Sequence, residues 1–426
     1  MQGSSRIPEF YKKTPKERIE IVKKMVGLTD EEVEILQKTG SLDIETANRM
    51  VENVIGALHL PLGLGLNFLI NGKDYLIPMA IEEPSVIAAA SNAAKLCRES
   101  GGIKTSSTDP VMIGQIQIVK IPDIEKAKKN IELHKKDLMN LLNDVDSTLI
   151  KFGGGPRDIQ VRVLNTKRGK MLIVHILVDV RDAMGANAVN SMAEKISPKL
   201  EELTGGEVLL KIISNLAVYR MARAKAVWTK KALEESLNGK MKGEEIVDAI
   251  LDAYAFAEAD PYRCATHNKG IMNGIDAVAI ATGNDFRAVE AGAHAYAAMN
   301  GYKPLTKYSK NENGDLVGEI ELPIAVGIIG GSIKTNPIAN ISLKILGVKS
   351  SKELAEIMAA VGLAQNFAAL RALATEGIQK GHMKLHAKNI AIMAGAKGKQ
   401  IDIVANKMIE KNEISVAKAK EILSSL

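Results

Sequence analysis

The chain has 426 residues, a formal net charge of +6, and 46% hydrophobic against 25% charged residues. That length exceeds one simple core and predicts about two to three domains. The charge is modest and no Lys/Arg block occurs, which argues against a nucleic-acid-binding tail.

The only two cysteines, Cys97 and Cys264, lie far apart with no CxxC pair. A disulfide framework and a structural zinc site are therefore not expected, and a reducing cytoplasm fits. The opening residues lack the apolar core of a signal peptide, and no run of about twenty uncharged apolar residues occurs, so no membrane association is expected.

In chain order, the first hundred residues read as helical. Thr29 and Glu32 form a capping-box pattern in "TDEEVEILQKTG". Gly63 and Gly65 imitate part of a dinucleotide loop, but Phe68 stands where the third glycine belongs, so a tight loop near a ligand or a plain turn is expected. From about Met112 the pattern becomes strand, helix, strand, strand, helix, strand, which is the ferredoxin-like order. Further helices follow, then a hairpin turning on Asn313-Gly314, and from Thr375 a lysine-rich helical segment punctuated by glycines, suited to a small mobile cap.

The expected fold is therefore α+β: a large, mainly helical domain (1–109 and 215–375), an inserted βαββαβ small domain (110–214) and a mobile C-terminal cap (376–426).

Several residues could carry chemistry. Asp182 is read as ending a strand before "DAMGANAVN" enters a helix, whose small residues and free N–H groups would suit a phosphate, or would equally make a closely packed cap. Asp146, ahead of "GGGPRD", could accept a hydrogen bond from a ribose 2′-hydroxyl and repel a 2′-phosphate, though a solvated loop aspartate explains it as well. Glu83 precedes Pro84 and, with Ser85, is placed at the start of a helix, where an acid can cap the dipole or donate a proton. Lys269, read as lying in a Gly/Asn loop, could hold a carbonyl oxyanion, with Asp285 beyond an apolar run tuning it.

His382 and His386, four apart in "KGHMKLHAKN", could form half a metal site, but nothing completes it and no metal is expected. A histidine on a cap suits proton delivery better. The two cysteines are read as inert packing, the rival being a cysteine acyltransferase. A second rival is a non-enzymatic nucleotide-binding module.

Taken together, "ENVIG", "EEPSVIAAAS", "GGGPRD", "DAMGANAVN", "DPYRCATHNKGIMNGIDAVAIATGND", "VEAGAHAYA", "VGIIGGSIKT", "LGVK" and "TEGIQKGHMKLHAKNIA" resemble the 3-hydroxy-3-methylglutaryl-coenzyme A reductases of the soluble bacterial and archaeal class (class II), from about residue 10 to the C-terminus and in the family's order. The resemblance implies interconversion of hydroxymethylglutaryl-CoA with mevalonate and free CoA, through mevaldyl-CoA and mevaldehyde. It implies catalytic roles for Glu83, Lys269, Asp285 and His382, contacts to the hydroxymethylglutaryl part or CoA by Ser85, Asn215, Arg263 and Asn273, and a dinucleotide site at Asp182, Met184, Gly185 and Asn187. Asp146 matches the aspartate of NAD-using members, favouring NAD(H), with NADP(H) the alternative. The family also implies a homodimer, or a higher oligomer of dimers, with the active site at the subunit interface and "ENVIG" (52–56) lying there.

Overall fold

The computed structural model describes residues 3–40, 42–333, 335–375, 387–411 and 413–426. The stretch read as a glycine loop is strand β1 (Leu62–Ile70), which turns through Asn71 and Gly72 into β2 (Lys73–Ala80), so the first hundred residues are not all helical. Asn71 at φ 50° and Gly72 at φ 81° supply the left-handed pair that matches the twist of two antiparallel strands. The remaining strands are β3 (Ile103–Ser107), β4 (Val111–Val119), β5 (Gly155–Thr166), β6 (Gly169–Asp179), β7 (Glu207–Ser214), β8 (Met221–Trp228), β9 (Thr306–Lys310) and β10 (Leu316–Pro323).

They form a six-stranded sheet of order β2-β1-β3-β8-β10-β9 and a four-stranded sheet of order β5-β6-β4-β7. One face of the larger sheet packs on the helix Ser351–Ala374, and Trp228 of β8 stacks on Phe367 of that helix, ring centroids 3.8 Å apart. The Trp228 indole N–H donates to the carbonyl of Ala93 at 3.0 Å, so the ring is buried with its polar atom satisfied. Among the described residues Ser351–Ala374 is the one helix long and apolar enough to cross a membrane, and 67% of its apolar window is buried inside the fold. It is a core helix of the larger unit.

The helix Pro261–Ala281 crosses the core helix closely. A side chain at Gly274 would meet Val361 at 3.0 Å, and one at Gly362 would meet Ile275 at 2.8 Å. Reciprocal glycines thus bring the two backbones together and fix where the first helix, which carries Lys269, must run.

The four-stranded sheet is fully antiparallel, with helices Ile124–Leu133, Lys135–Asn143 and Ala186–Thr204 packed on it around a second apolar core. The two connections between the sheets run side by side. Thr108 donates its N–H to the carbonyl of Met221 and its hydroxyl to the carbonyl of Tyr219, while Met221 donates back to the Thr108 hydroxyl.

At the N-terminus, capping boxes at Thr14/Glu17 and Thr29/Glu32 start two helices, Pro15–Val26 and Asp30–Gln37, that pack on Leu76 and Ile341. Beyond Ala387 the helices Lys399–Glu410 and Val416–Ser424 share a small core of their own.

Candidate active site

Lys269 lies on the helix Pro261–Ala281 and not in a loop. The run of Gly and Asn around it suggested a loop, but Asp260 caps the helix, Pro261 starts it, and Gly274 is kept inside it because packing against Val361 and Gln365 requires a slim face, while Gly270 faces open space. Lys269 Nζ meets Glu83 Oε2 at 3.4 Å, the side chains being 61% and 35% exposed. Asn273, one turn on, shares the face of Lys269. Arg263 lies about 120° around the helix from that face.

Glu83 sits in the turn after β2, and the following helix begins at Val86, later than the sequence suggested. Ser85 is its N-cap residue at φ 80°, a left-handed conformation that costs a side chain of this kind free energy and is kept where surrounding structure imposes it. Glu83, Ser85, Lys269 and Asn273 are thus one group on two neighbouring elements.

Asp285 is not part of that group within the chain. The helix after Lys269 runs on to Ala281, about 18 Å along its axis. Asp285 then caps the next helix, Phe286–Ala298, accepting from Arg287 N at 3.1 Å and Ala288 N at 3.2 Å. Its neighbour Asn284 exchanges two hydrogen bonds with Gly327. Gly327 lies against Met184, and Ile328 N donates to the Asp182 carbonyl at 2.9 Å. Asn215 belongs here too, its carbonyl oxygen lying against Gly292 of the Asp285 helix.

The strand β6 ends at Asp179, not at Asp182. Asp179 is 1% exposed and held by Arg157 and Arg181, each at 2.8 Å, and both arginines also donate to the Gly153 carbonyl of the "GGG" turn. Asp182 stands in the turn beyond, where its Oδ1 accepts from Ser351 N at 2.8 Å, at the start of the core helix. Gly185, at φ 102°, precedes the helix Ala186–Thr204, which has no side-chain cap, and Asn187 is exposed in its first turn. A Cβ at Gly185 would lie 2.5 Å from Val180, so only glycine lets the chain turn here and leaves free N–H groups at the helix N-terminus, which fits an anionic nucleotide.

Asp146 caps the short helix Ser147–Lys151 through Leu149 N at 2.8 Å. His382 and His386 lie outside the described residues. Among those described, no group of three or more His, Cys, Asp or Glu side chains is placed to hold a metal ion.

Two features escaped sequence reasoning. Arg220 is 4% exposed and donates to the carbonyls of Ala183 at 3.2 Å, Met184 at 3.1 Å and Val326, tying the Asp182–Gly185 turn to the larger unit. Asp276, two turns beyond Lys269, lies against Glu290. Neither carries a local motif; both depend on partners distant in sequence.

Both cysteines are fully buried, and burial pushes the Cys97 thiol up to about 12 and the Cys264 thiol upward as well. Thiols in that state are poor nucleophiles. Native protein is expected to react with an aromatic disulfide reagent only on unfolding, and Cys264→Ala to retain its turnover. Fast labelling of the native chain, or loss of turnover in that variant, would restore the acyltransferase reading.

The sequence profile of the family Hydroxymethylglutaryl-coenzyme A reductase matches residues 14–387. The 3-hydroxy-3-methylglutaryl-coenzyme A reductase of Archaeoglobus fulgidus is 59% identical over 99% of this chain and 95% of its own. A solved structure of the Streptococcus pneumoniae enzyme is 41% identical, covers 98% of this chain and 99% of that one, and superposes with a TM-score of 0.83. A second, described as class II and bound to NADPH in open conformations, has a TM-score of 0.81 at 41% identity, covering 97% and 99%.

The family profile, the near-full-length relatives and the NADPH-bound neighbour together define an oxidoreductase of the nicotinamide-using kind. The chain belongs to the hydroxymethylglutaryl-coenzyme A reductase family, whose reaction is the reduction of hydroxymethylglutaryl-CoA to mevalonate and CoA.

Proposed function

We propose that this chain is organised as a large substrate unit (1–109 and 215–375), an inserted nucleotide unit (110–214) and a C-terminal cap (376–426), and that it works as a cytoplasmic homodimer with each active site shared between subunits. The observation that carries the dimer is the separation of the two residue groups: Glu83 and Lys269 at one end, Asp285 with the Asp182–Gly185 turn at the other. In a two-fold dimer the Asp285 that meets Lys269 comes from the second copy, along with its nucleotide. Residues 51–61 support this reading, because they carry an apolar strap whose Ile55 is 101% and Leu58 93% exposed. Ile55→Asp is expected to yield monomers by light scattering with turnover lost; an active monomer would refute the shared site.

The bound nicotinamide supplies hydride. Two hydride deliveries are needed, and each builds negative charge on a carbonyl oxygen. Lys269 holds that oxygen through its ammonium, Glu83 gives the proton that completes the alcohol, and Asp285 keeps the lysine charged. Ser85, Asn215, Arg263 and Asn273 orient the hydroxymethylglutaryl part and CoA. Between the two steps the hemithioacetal collapses, and His382 protonates the departing CoA thiolate.

Gly185, Met184, Asn187 and Asp182 receive the dinucleotide, and Asp146 turns the preference to NAD(H), because a carboxylate beside the ribose accepts from a 2′-hydroxyl and repels a 2′-phosphate. The deciding experiment follows nicotinamide absorbance with hydroxymethylglutaryl-CoA, using NADH and NADPH in separate runs. Two cofactor molecules oxidised per CoA released, faster with NADH, is the expected result; a faster NADPH rate would overturn the role given to Asp146.

A further inference from the structure

Asp276 and Glu290 are two carboxyl groups brought together at the crossing of two helices. Asp276 follows Lys269 by two turns on the same face of the helix Pro261–Ala281, about 10 Å along its axis. Glu290 follows Asp285 on the helix Phe286–Ala298. The two carboxyls are within hydrogen-bonding contact, and Asp276 Oδ1 is buried with no donor among the described residues. Two carboxylates cannot both be charged at contact distance in a half-dry crevice, so one must hold a proton and donate it to the other.

The surroundings favour that arrangement. On the helix Phe286–Ala298, His294 Nε2 stands 3.9 Å from Glu290 Oε2, and its Nδ1 is 2.9 Å from the Tyr302 hydroxyl in the following loop. Lys303, next in that loop, is engaged by the carbonyl of Glu258 at the end of the helix Gly243–Ala259. The core helix presents the neutral Gln365 at Gly274, and β2 leads to Glu83, which faces Lys269. Cys264, on the same helix as Asp276, is buried and protonated. Glu290 is thus the group that acts on Asp276 directly.

We propose that Asp276 and Glu290 are positioning residues that share one proton as a clamp between the Lys269 helix and the Asp285 helix, and that loss of this proton in alkaline solution loosens the clamp and lowers turnover without weakening substrate binding. The proposal rests on the roles given to Lys269 and Asp285, since the clamp sets the angle between the helix presenting one half-site and the helix presenting the other. Burial first, and the Glu290 charge second, raise Asp276 to about 8. Folded protein therefore keeps, between about pH 4 and 8, a proton that the unfolded chain has released. The resulting stability is fully present below about pH 4 and is lost as pH rises through about 8.

The test is Asp276→Asn, in which the amide donates to Glu290 at every pH, with Glu290→Gln as the reciprocal variant. The alkaline fall of kcat is expected to move up by at least about one pH unit in each, with KM for hydroxymethylglutaryl-CoA unchanged within about twofold. Thermal midpoints, which need no turnover, are read in parallel. The wild-type midpoint minus that of the variant is expected to fall between pH 4 and 8 if the clamp exists. Wild-type protein alone should show an infrared carbonyl band of a protonated carboxyl that disappears near pH 8. Variants whose pH–rate profiles superimpose on wild type, a midpoint difference that is flat with pH, or no such band would overturn the clamp. A clamp seen in midpoints and infrared alongside pH-independent turnover would refute the link to Lys269 and Asp285.

Discussion

Lys269→Ala is expected to lower kcat/KM for hydroxymethylglutaryl-CoA reduction by about 10²–10³-fold, because in the proposed mechanism it removes the cation that holds the developing oxyanion. Lys269 is 61% exposed and its ion pair to Glu83 is long at 3.4 Å, so little of the fold depends on it. The thermal midpoint should stay within about 2 °C of wild type, which separates loss of chemistry from loss of fold. Lys269→Arg should recover little, since a planar guanidinium cannot replace a compact ammonium at one oxygen. A variant with turnover near wild type would remove Lys269 from the mechanism and, with it, the resemblance-based role of Glu83.

Arg220→Met is expected to have the largest effect on stability. The guanidinium is nearly fully buried, burial pulls it down to about 10, and it balances Asp179 and Asp182 while donating to three carbonyls. Removing one partner of such a set leaves acceptors and charge without a counterpart, a cost of about 3–5 kcal/mol. It should show as a lower urea midpoint with an unchanged slope. The surviving folded protein should also bind the nicotinamide cofactor about tenfold more weakly, because the freed turn is the one that precedes the helix at Ala186, while KM for hydroxymethylglutaryl-CoA stays constant. A stable Arg220→Met protein with unchanged cofactor KM would show the turn to be held by Gly327 and Ser351 alone.

Much of the local structure was legible. The capping box at Thr29, the strand patterns of β4 through β7 and the hairpin at Asn313–Gly314 depend on neighbours a few residues away, and each element formed where its pattern lay. The hairpin at Asn71–Gly72 carried the same Asn–Gly signal between two apolar runs, but Gly63 and Gly65 drew the reading towards a loop. In β1 Gly65 sits between Phe68 and Met79, where tertiary packing leaves no room for a larger side chain. The loop assigned around Lys269 failed for the same reason: Gly270 and Gly274 lower intrinsic helix propensity, and the crossing with Ser351–Ala374 outweighs that cost.

The sequence by itself determined the family, because many short motifs in a fixed order identify chemistry that single residues cannot. It also determined the residue types at the site. Tertiary structure decided which of them meet. A helix of fixed rise keeps Lys269 and Asp285 far apart in one chain, and puts Asp285 beside the Asp182–Gly185 turn instead. It also brought Arg220 to three carbonyls and Asp276 to Glu290, because burial assembles polar partners from distant segments and leaves no trace in local spacing.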